Sequence, residues 1–187
     1  MKQFITLLFA VVAISIPSNA QRYLPGQRGI QLSYGTVNGV KPQQAFYVGG
    51  ALSTYKQKGS RWIIGAEYLQ KLFDYKQISI PVSQFSIEGG YYSHLLSDAS
   101  NTLLLSVGTS VLAGYETSNW GKKLLFDGAT LRNEDVFLYG GALTLELEVY
   151  LTDRIILLVN TRERVVWGSS IGQFSTQLGI GLKYIIN

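Results

Sequence analysis

From Gly29 onward, apolar and polar residues alternate with a period of two, segment after segment. That is the spacing of a β-strand whose two faces meet different surroundings. In the last segment Phe174, Thr176, Leu178, Ile180, Leu182, Tyr184 and Ile186 share one face, while Ser175, Gln177, Gly179, Gly181 and Lys183 share the other. Leu143, Leu145, Leu147, Val149 and Leu151 oppose Thr144, Glu146, Glu148 and Tyr150. Leu103, Leu105, Val107, Val111 and Ala113 oppose Ser106, Gly108, Ser110 and Gly114. A helix would scatter these residues around its circumference. Turn signals divide the pattern into eight strands, expected near Gly29–Val37, Gln44–Tyr55, Arg61–Phe73, Ile78–Leu95, Thr102–Glu116, Asp135–Leu151, Ile155–Trp167 and Gly172–Ile186.

Eight such strands suit either a soluble barrel, apolar inside, or a transmembrane barrel, apolar outside. The less apolar face decides between them. Leu104, Ser106, Gly108, Ser110, Leu112 and Gly114 carry no charge at all, which is too little for a wetted exterior. Their Gly and Ser suit the crowded lumen of a small barrel filled by its own side chains. The apolar face carries Phe46, Trp62, Phe85, Tyr91, Tyr115, Phe137, Tyr139, Phe174 and Tyr184 toward strand ends, where aromatic girdles form at headgroup depth. The expected fold class is all-β: a single eight-stranded antiparallel transmembrane β-barrel of the outer-membrane type, in contact with outer-membrane lipid.

Residues 1–20 read as an address and residues 21–187 as the barrel domain. Lys2 precedes the apolar run Phe4–Ile16, and Ser18 and Ala20 fit the −3 and −1 positions of a signal-peptidase site, with Gln21 next. The run is shorter than the ~20 residues a spanning helix needs, and Pro17 ends it. A cleaved signal peptide and export to the outer membrane of a Gram-negative bacterium are expected. With the N-terminus periplasmic, Lys56–Ser60, Ser97–Asn101 and Thr152–Arg154 become short periplasmic turns, and the longest connection, Thr117–Glu134, falls outside the cell.

Composition narrows the chemistry. Charged residues are 15% of the chain, against ~25% in soluble domains. The net charge of +4 arises from sixteen basic and twelve acidic residues that are interspersed, so no basic run of the nucleic-acid kind exists and direct nucleic-acid binding is not expected. There is no Cys, which removes disulfides, thiolate nucleophiles and lipoprotein acylation. With one His as well, no metal site and no cofactor are expected.

Three sets of residues are candidates for function. The lumen face carries Glu67, Glu88, Glu146, Glu148, Asn160, Arg162, Arg164 and Lys183. Paired carboxylates serve acid/base chemistry or line a channel, but buried charges of mixed sign also neutralise one another and plug a barrel. His94, in Tyr91-Tyr92-Ser93-His94, invites comparison with lipid-modifying barrels that use a histidine near the external leaflet. Here it falls at the periplasmic end of its strand, so an interfacial role is expected and no catalytic residue is assigned. The long connection holds Trp120, Lys122, Lys123 and Phe126. With Arg132 further along, it offers Trp, Phe and Arg, the types enriched at the centres of protein interfaces, though such a loop can also pack over the barrel mouth.

Several segments resemble the conjugative-transposon protein TraO family of Bacteroides and relatives. They are Gln21-Arg22-Tyr23-Leu24-Pro25-Gly26 with Gly29-Ile30-Gln31; Gly65-Ala66-Glu67-Tyr68-Leu69-Gln70-Lys71; Gly114-Tyr115-Glu116 with Asn119-Trp120-Gly121; and Leu125-Phe126-Asp127-Gly128-Ala129. Further along come Tyr139-Gly140-Gly141-Ala142-Leu143-Thr144-Leu145-Glu146, Leu151-Thr152-Asp153-Arg154, and Arg162-Glu163-Arg164 with Trp167-Gly168-Ser169-Ser170. The final strand is also similar to the terminal signal of outer-membrane barrels, departing from it in ending on Asn187. The resemblance spans the mature chain in order. It implies a non-enzymatic envelope component of a conjugative DNA-transfer apparatus, acting through contacts with other transfer proteins or a recipient surface. The alternative is a general small barrel, structural or a narrow pore.

Overall fold

In the computed structural model, which describes residues 24–39, 41–56, 59–76, 78–122, 130 and 135–186, alternation has produced eight strands: β1 (Arg28–Val37), β2 (Ala45–Tyr55), β3 (Arg61–Tyr75), β4 (Ile78–Ser97), β5 (Leu103–Ser118), β6 (Val136–Tyr150), β7 (Ile155–Trp167) and β8 (Phe174–Ile185). Each pairs antiparallel with its neighbour, and β1 pairs with β8 through registers such as Leu32↔Leu182, closing the barrel. Within the closed wall no strand edge is left, so the backbone polar groups there pair with one another. The segment Met1–Ala20 lies outside the described residues.

Strand bounds depart from expectation where pairing overrides local turn chemistry. Asp74 and Tyr75, expected in a turn, pair with Ser79 and Ile78, and Lys76 at φ 53° opens the tight connection. Thr117 and Ser118, expected in the long loop, continue β5 against Ser83 and Val82. Gly172, expected in the last strand, stands at φ 136°, and β8 begins only at Phe174. A polar residue extends a ladder whenever the facing strand offers partners. Beyond the Val82↔Ser118 pair, β3 and β4 therefore continue alone as a two-stranded arm.

The faces are inverted relative to a soluble barrel. Ile64 and Val111 are each 71% exposed on the outside, in company with Leu32, Ile87, Leu143 and Ile180. A continuous apolar wall of this kind belongs in hydrocarbon, not water. Outward aromatics pair across strands, as in Trp62–Tyr91 at 5.0 Å, Tyr68–Phe85 at 4.9 Å and Tyr139–Trp167 at 5.8 Å. Inside, glycines make room for rings. A Cβ on Gly108 would lie 2.5 Å from Tyr92, and one on Gly179 only 1.9 Å from the Tyr47 hydroxyl.

Apolar clusters close the lumen at both ends. Tyr55, Leu104, Tyr150, Ile156, Leu158 and Ile185 gather at the end that holds the chain termini. Toward the other end lie Val37, Ala45, Tyr47 and Leu69 against Ile171, and Leu112, Leu138 and Val166 against Ala142. The charged residues are held between and beside these clusters.

Leu145 points outward from the middle of β6, paired with Val107 and Thr161. Leu145→Arg is expected to cost ~2–4 kcal/mol near the bilayer midplane, and Leu145→Val little. Denaturant titration of barrels refolded into phospholipid vesicles measures both, and equal tolerance of Arg and Val would contradict the outward assignment.

Candidate functional site

The strand parity that turns leucines outward turns charges inward, and the barrel gathers them into two layers. Nearer the terminal end, the Arg61 guanidinium donates to Glu146 at 2.5 Å and lies 3.5 Å from Glu148. The Lys183 ammonium pairs closely with Glu148 and lies 3.6 Å from Glu146. Tyr55 donates its hydroxyl to Glu148 at 3.3 Å, and Arg61 lies 5.0 Å from the Tyr92 ring centre. Both Lys183 and Glu148 are 0% exposed.

The second layer lies toward mid-barrel. Arg162 pairs closely with Glu88 and reaches Glu67 at 3.3 Å, while Arg164 reaches Glu67 at 2.9 Å. Gln177 donates to Glu67 at 2.9 Å and Ser110 to Glu88 at 3.2 Å. Asn160 accepts from the Tyr47 hydroxyl at 3.0 Å instead of joining the ions. Each layer thus sets two cations against two carboxylates, and each is neutral.

Two lumen residues were missed in the sequence. Arg61 opens β3 as the first residue of the expected strand and shares parity with Glu67, but was not counted among the lumen charges. A count also pointed to it. The candidate lumen set held four carboxylates but only three cations, and a buried charge requires a partner. Glu116 is the second. Buried near the opposite end, it accepts from Gln84 at 2.8 Å, from Ser169 at 3.1 Å, from the Ser170 N–H at 2.9 Å, and from the Ser170 hydroxyl. It fastens the β7–β8 connection across the lumen.

His94 lies at a bulge in β4, opposite Ser106 near the turn to β5, the strand end where sequence placed it. Among the described residues no group of three His, Asp or Glu could hold a metal. A concavity of about 610 Å³ is lined chiefly by outward side chains, including Leu32, Phe85, Ile87 and Phe137. It therefore opens on the apolar outer wall.

Of the long connection, the structure describes its start. Asn119, Trp120 and Gly121 form one tight turn with φ of 51°, 54° and 77°, all left-handed. The Lys122 N–H closes it on Asn119 O at 3.0 Å, and the Asn119 amide donates back to Lys122 O at 2.9 Å. For tryptophan this backbone costs on the order of 1–3 kcal/mol. Trp120 is nonetheless 59% exposed, its ring 6.4 Å from that of Phe85. Lys122 stands exposed beside it. Lys123 and Phe126 lie outside the described residues.

Comparison with known proteins agrees with this architecture. The model of the family described as conjugative transposon protein TraO matches residues 24–186. No curated protein sequence matches the chain. Among solved structures, Neisserial surface protein A is 12% identical, with a TM-score of 0.60 over 84% of this chain and 96% of its own. Ail of Yersinia pestis, the attachment invasion locus protein solved with the heparin analogue sucrose octasulfate, is 10% identical, with a TM-score of 0.54 over 86% of this chain and 100% of its own. The N-terminal barrel domain of Pseudomonas aeruginosa OprF is 11% identical, with a TM-score of 0.50 over 85% and 98%. These likenesses fix the fold as that of outer-membrane barrels.

Removing one partner from the terminal-end layer is expected to be severe. Lys183→Met leaves two carboxylates against Arg61 alone and should cost ~3–5 kcal/mol, as for a broken buried pair. Lys183→Met with Glu148→Gln restores neutrality and should recover most of that loss. Denaturant titration in vesicles measures it, and a double variant no better than the single would show that the layer is not held by charge balance.

Proposed function

The chain belongs to the conjugative transposon protein TraO family, and from that membership we propose that it is a non-enzymatic outer-membrane component of the conjugative apparatus, acting through protein contacts. On this reading residues 1–20 are removed on export. The barrel anchors in lipid with its termini toward the periplasm, and Thr117–Glu134 faces outward. The partners are other transfer proteins or a recipient surface, and nucleic acid is not contacted directly.

Two features support contact over chemistry. The eight charges of the two layers are matched cation to carboxylate and lie among apolar clusters, and the buried carboxylate of Glu116 is taken up by Gln84, Ser169 and Ser170. The observation that carries the reading is Trp120. A left-handed tryptophan, exposed at a strand end, is a costly conformation that burial does not repay. Presentation to a partner repays it, since tryptophan is enriched among the residues that dominate binding energy. Lys122, and Lys123 and Phe126 further along, supply the charge and apolar surface of such a contact.

Replacing residues 120–127 with a Gly/Ser segment of equal length should leave the barrel in the outer membrane with a normal heat-shifted gel band, because loop closure depends weakly on composition. Mating frequency from such donors should fall at least about tenfold, and Trp120→Ala should reproduce much of the loss. Unchanged mating at normal barrel abundance would show that the loop is not the contact surface.

A further inference from the structure

The connection between β7 and β8 does not simply turn back over the wall. The Val166 N–H donates to Gln173 O at 2.8 Å and closes its base. Beyond that bond, no backbone–backbone hydrogen bond ties residues 168–172 to a strand among the described residues. The segment is held by side chains on two opposite sides of the barrel. Toward β4 and β5, the Ser169 hydroxyl donates to the Glu116 carboxylate at 3.1 Å and the Ser170 N–H at 2.9 Å, with the Ser170 hydroxyl closer still. Gln84 donates to both Ser169 and Glu116 at 2.8 Å. Toward β1, β2 and β3, Ile171 packs on the cluster of Val37, Ala45, Tyr47 and Leu69. The segment therefore lies across the lumen mouth, with the Leu112, Leu138 and Val166 cluster and the Arg162 layer beneath it.

Glu116 differs in kind from the other buried carboxylates. Glu67, Glu88, Glu146 and Glu148 each face an arginine or a lysine, and losing such a partner strands a charge. Glu116 is 2% exposed, yet only neutral groups hold it, and most of these donors ride on the connection itself. If the connection lifts, water reaches the carboxylate and takes over those donations, an exchange that is close to even for each bond. The backbone also has corners at which to turn. Gly168 stands at φ 87° and Gly172 at φ 136°, conformations that glycine adopts without strain. A Cβ on Gly172 would meet nothing nearer than Phe174 O at 3.7 Å, so rotation there is unobstructed.

We propose that residues 168–173 form a hinged strap over the lumen mouth, with Glu116 as its latch and Ile171 as its stopper. The strap opens locally, while the strands and both charge layers stay in place, because its attachments are side chains and not ladder bonds. Lifting it uncovers Glu116, Gln84 and the Val37 cluster and leaves the charge layers below closed. Its closure is independent of the contact proposed at Trp120.

The chain has no Cys, so single cysteines report local opening through their rate of reaction with a maleimide. Val37→Cys lies in the cluster that Ile171 covers, and Leu158→Cys lies in the cluster at the terminal end. In the purified chain in detergent micelles, Val37→Cys should react at least about tenfold faster than Leu158→Cys. Adding Glu116→Ala, or Ser169→Ala with Ser170→Ala, should speed Val37→Cys at least about tenfold more and leave Leu158→Cys unchanged, with the heat-shifted gel band retained. Equal rates for the two cysteines in the otherwise native chain would mean that the mouth opens only when the barrel unfolds, and would overturn the proposal. So would an unchanged Val37→Cys rate in the paired-serine variant, since the latch would then hold nothing. Loss of the heat-shifted band in that variant, which alters only the connection, would make residues 168–173 part of the barrel's fold and overturn it as well.

Discussion

A chain that crosses hydrocarbon as strands must pair every backbone N–H and C=O within its own wall, and the β1–β8 ladder is where this chain meets that demand. Once the wall is closed, the alternation of side chains leaves no freedom. Each outward residue meets lipid and each inward residue meets the lumen, so one sequence register fixes both environments. The leucine and isoleucine faces go out, and what remains must fill a tube too narrow for bulk water.

That remainder is polar, and filling a lumen with polar groups is stable only when they satisfy one another. The molecule solves this by charge matching in two layers, Arg61 and Lys183 against Glu146 and Glu148, then Arg162 and Arg164 against Glu67 and Glu88. Tyrosine rings laid over glycines and apolar clusters complete the filling. Ion pairs of this kind add little net stability over an apolar core but make each member hard to remove singly. The interior is thereby committed to structure. The contact proposed for this chain lies on its surface, at the end of β5 with Trp120.

Much of this was legible in the sequence. Period-two alternation gave eight strands and their faces, since in a closed barrel no tertiary choice intervenes between parity and environment. The charged lumen set followed from parity alone. What escaped detection was local. Arg61 escaped because it is the first residue of its strand, where the alternation has only just begun, and Asp74 and Ser118 because they are turn-like residues that a facing strand recruited into the ladder. The left-handed backbone of Trp120 has no signature, because tryptophan is not a residue that favours it. Glu163 stood in a run of three charges in which only the phase of the strand shows that one faces the other way. The family, by contrast, was carried by particular segments such as Asn119-Trp120-Gly121 and Arg162-Glu163-Arg164, and alternation says nothing of conjugation.

The central claim is that the lumen is a sealed filling whose two charge layers neutralise themselves, and that the proposed contacts are made on the outside. Ion conductance of the purified barrel in planar bilayers tests this most directly. The account predicts no steady conductance above that of the bare bilayer, because Arg61, Lys183 and their carboxylates occupy the lumen between apolar clusters. A steady ohmic conductance whose ion selectivity changes with Glu67→Gln would contradict it and make the charge layers the lining of a pore.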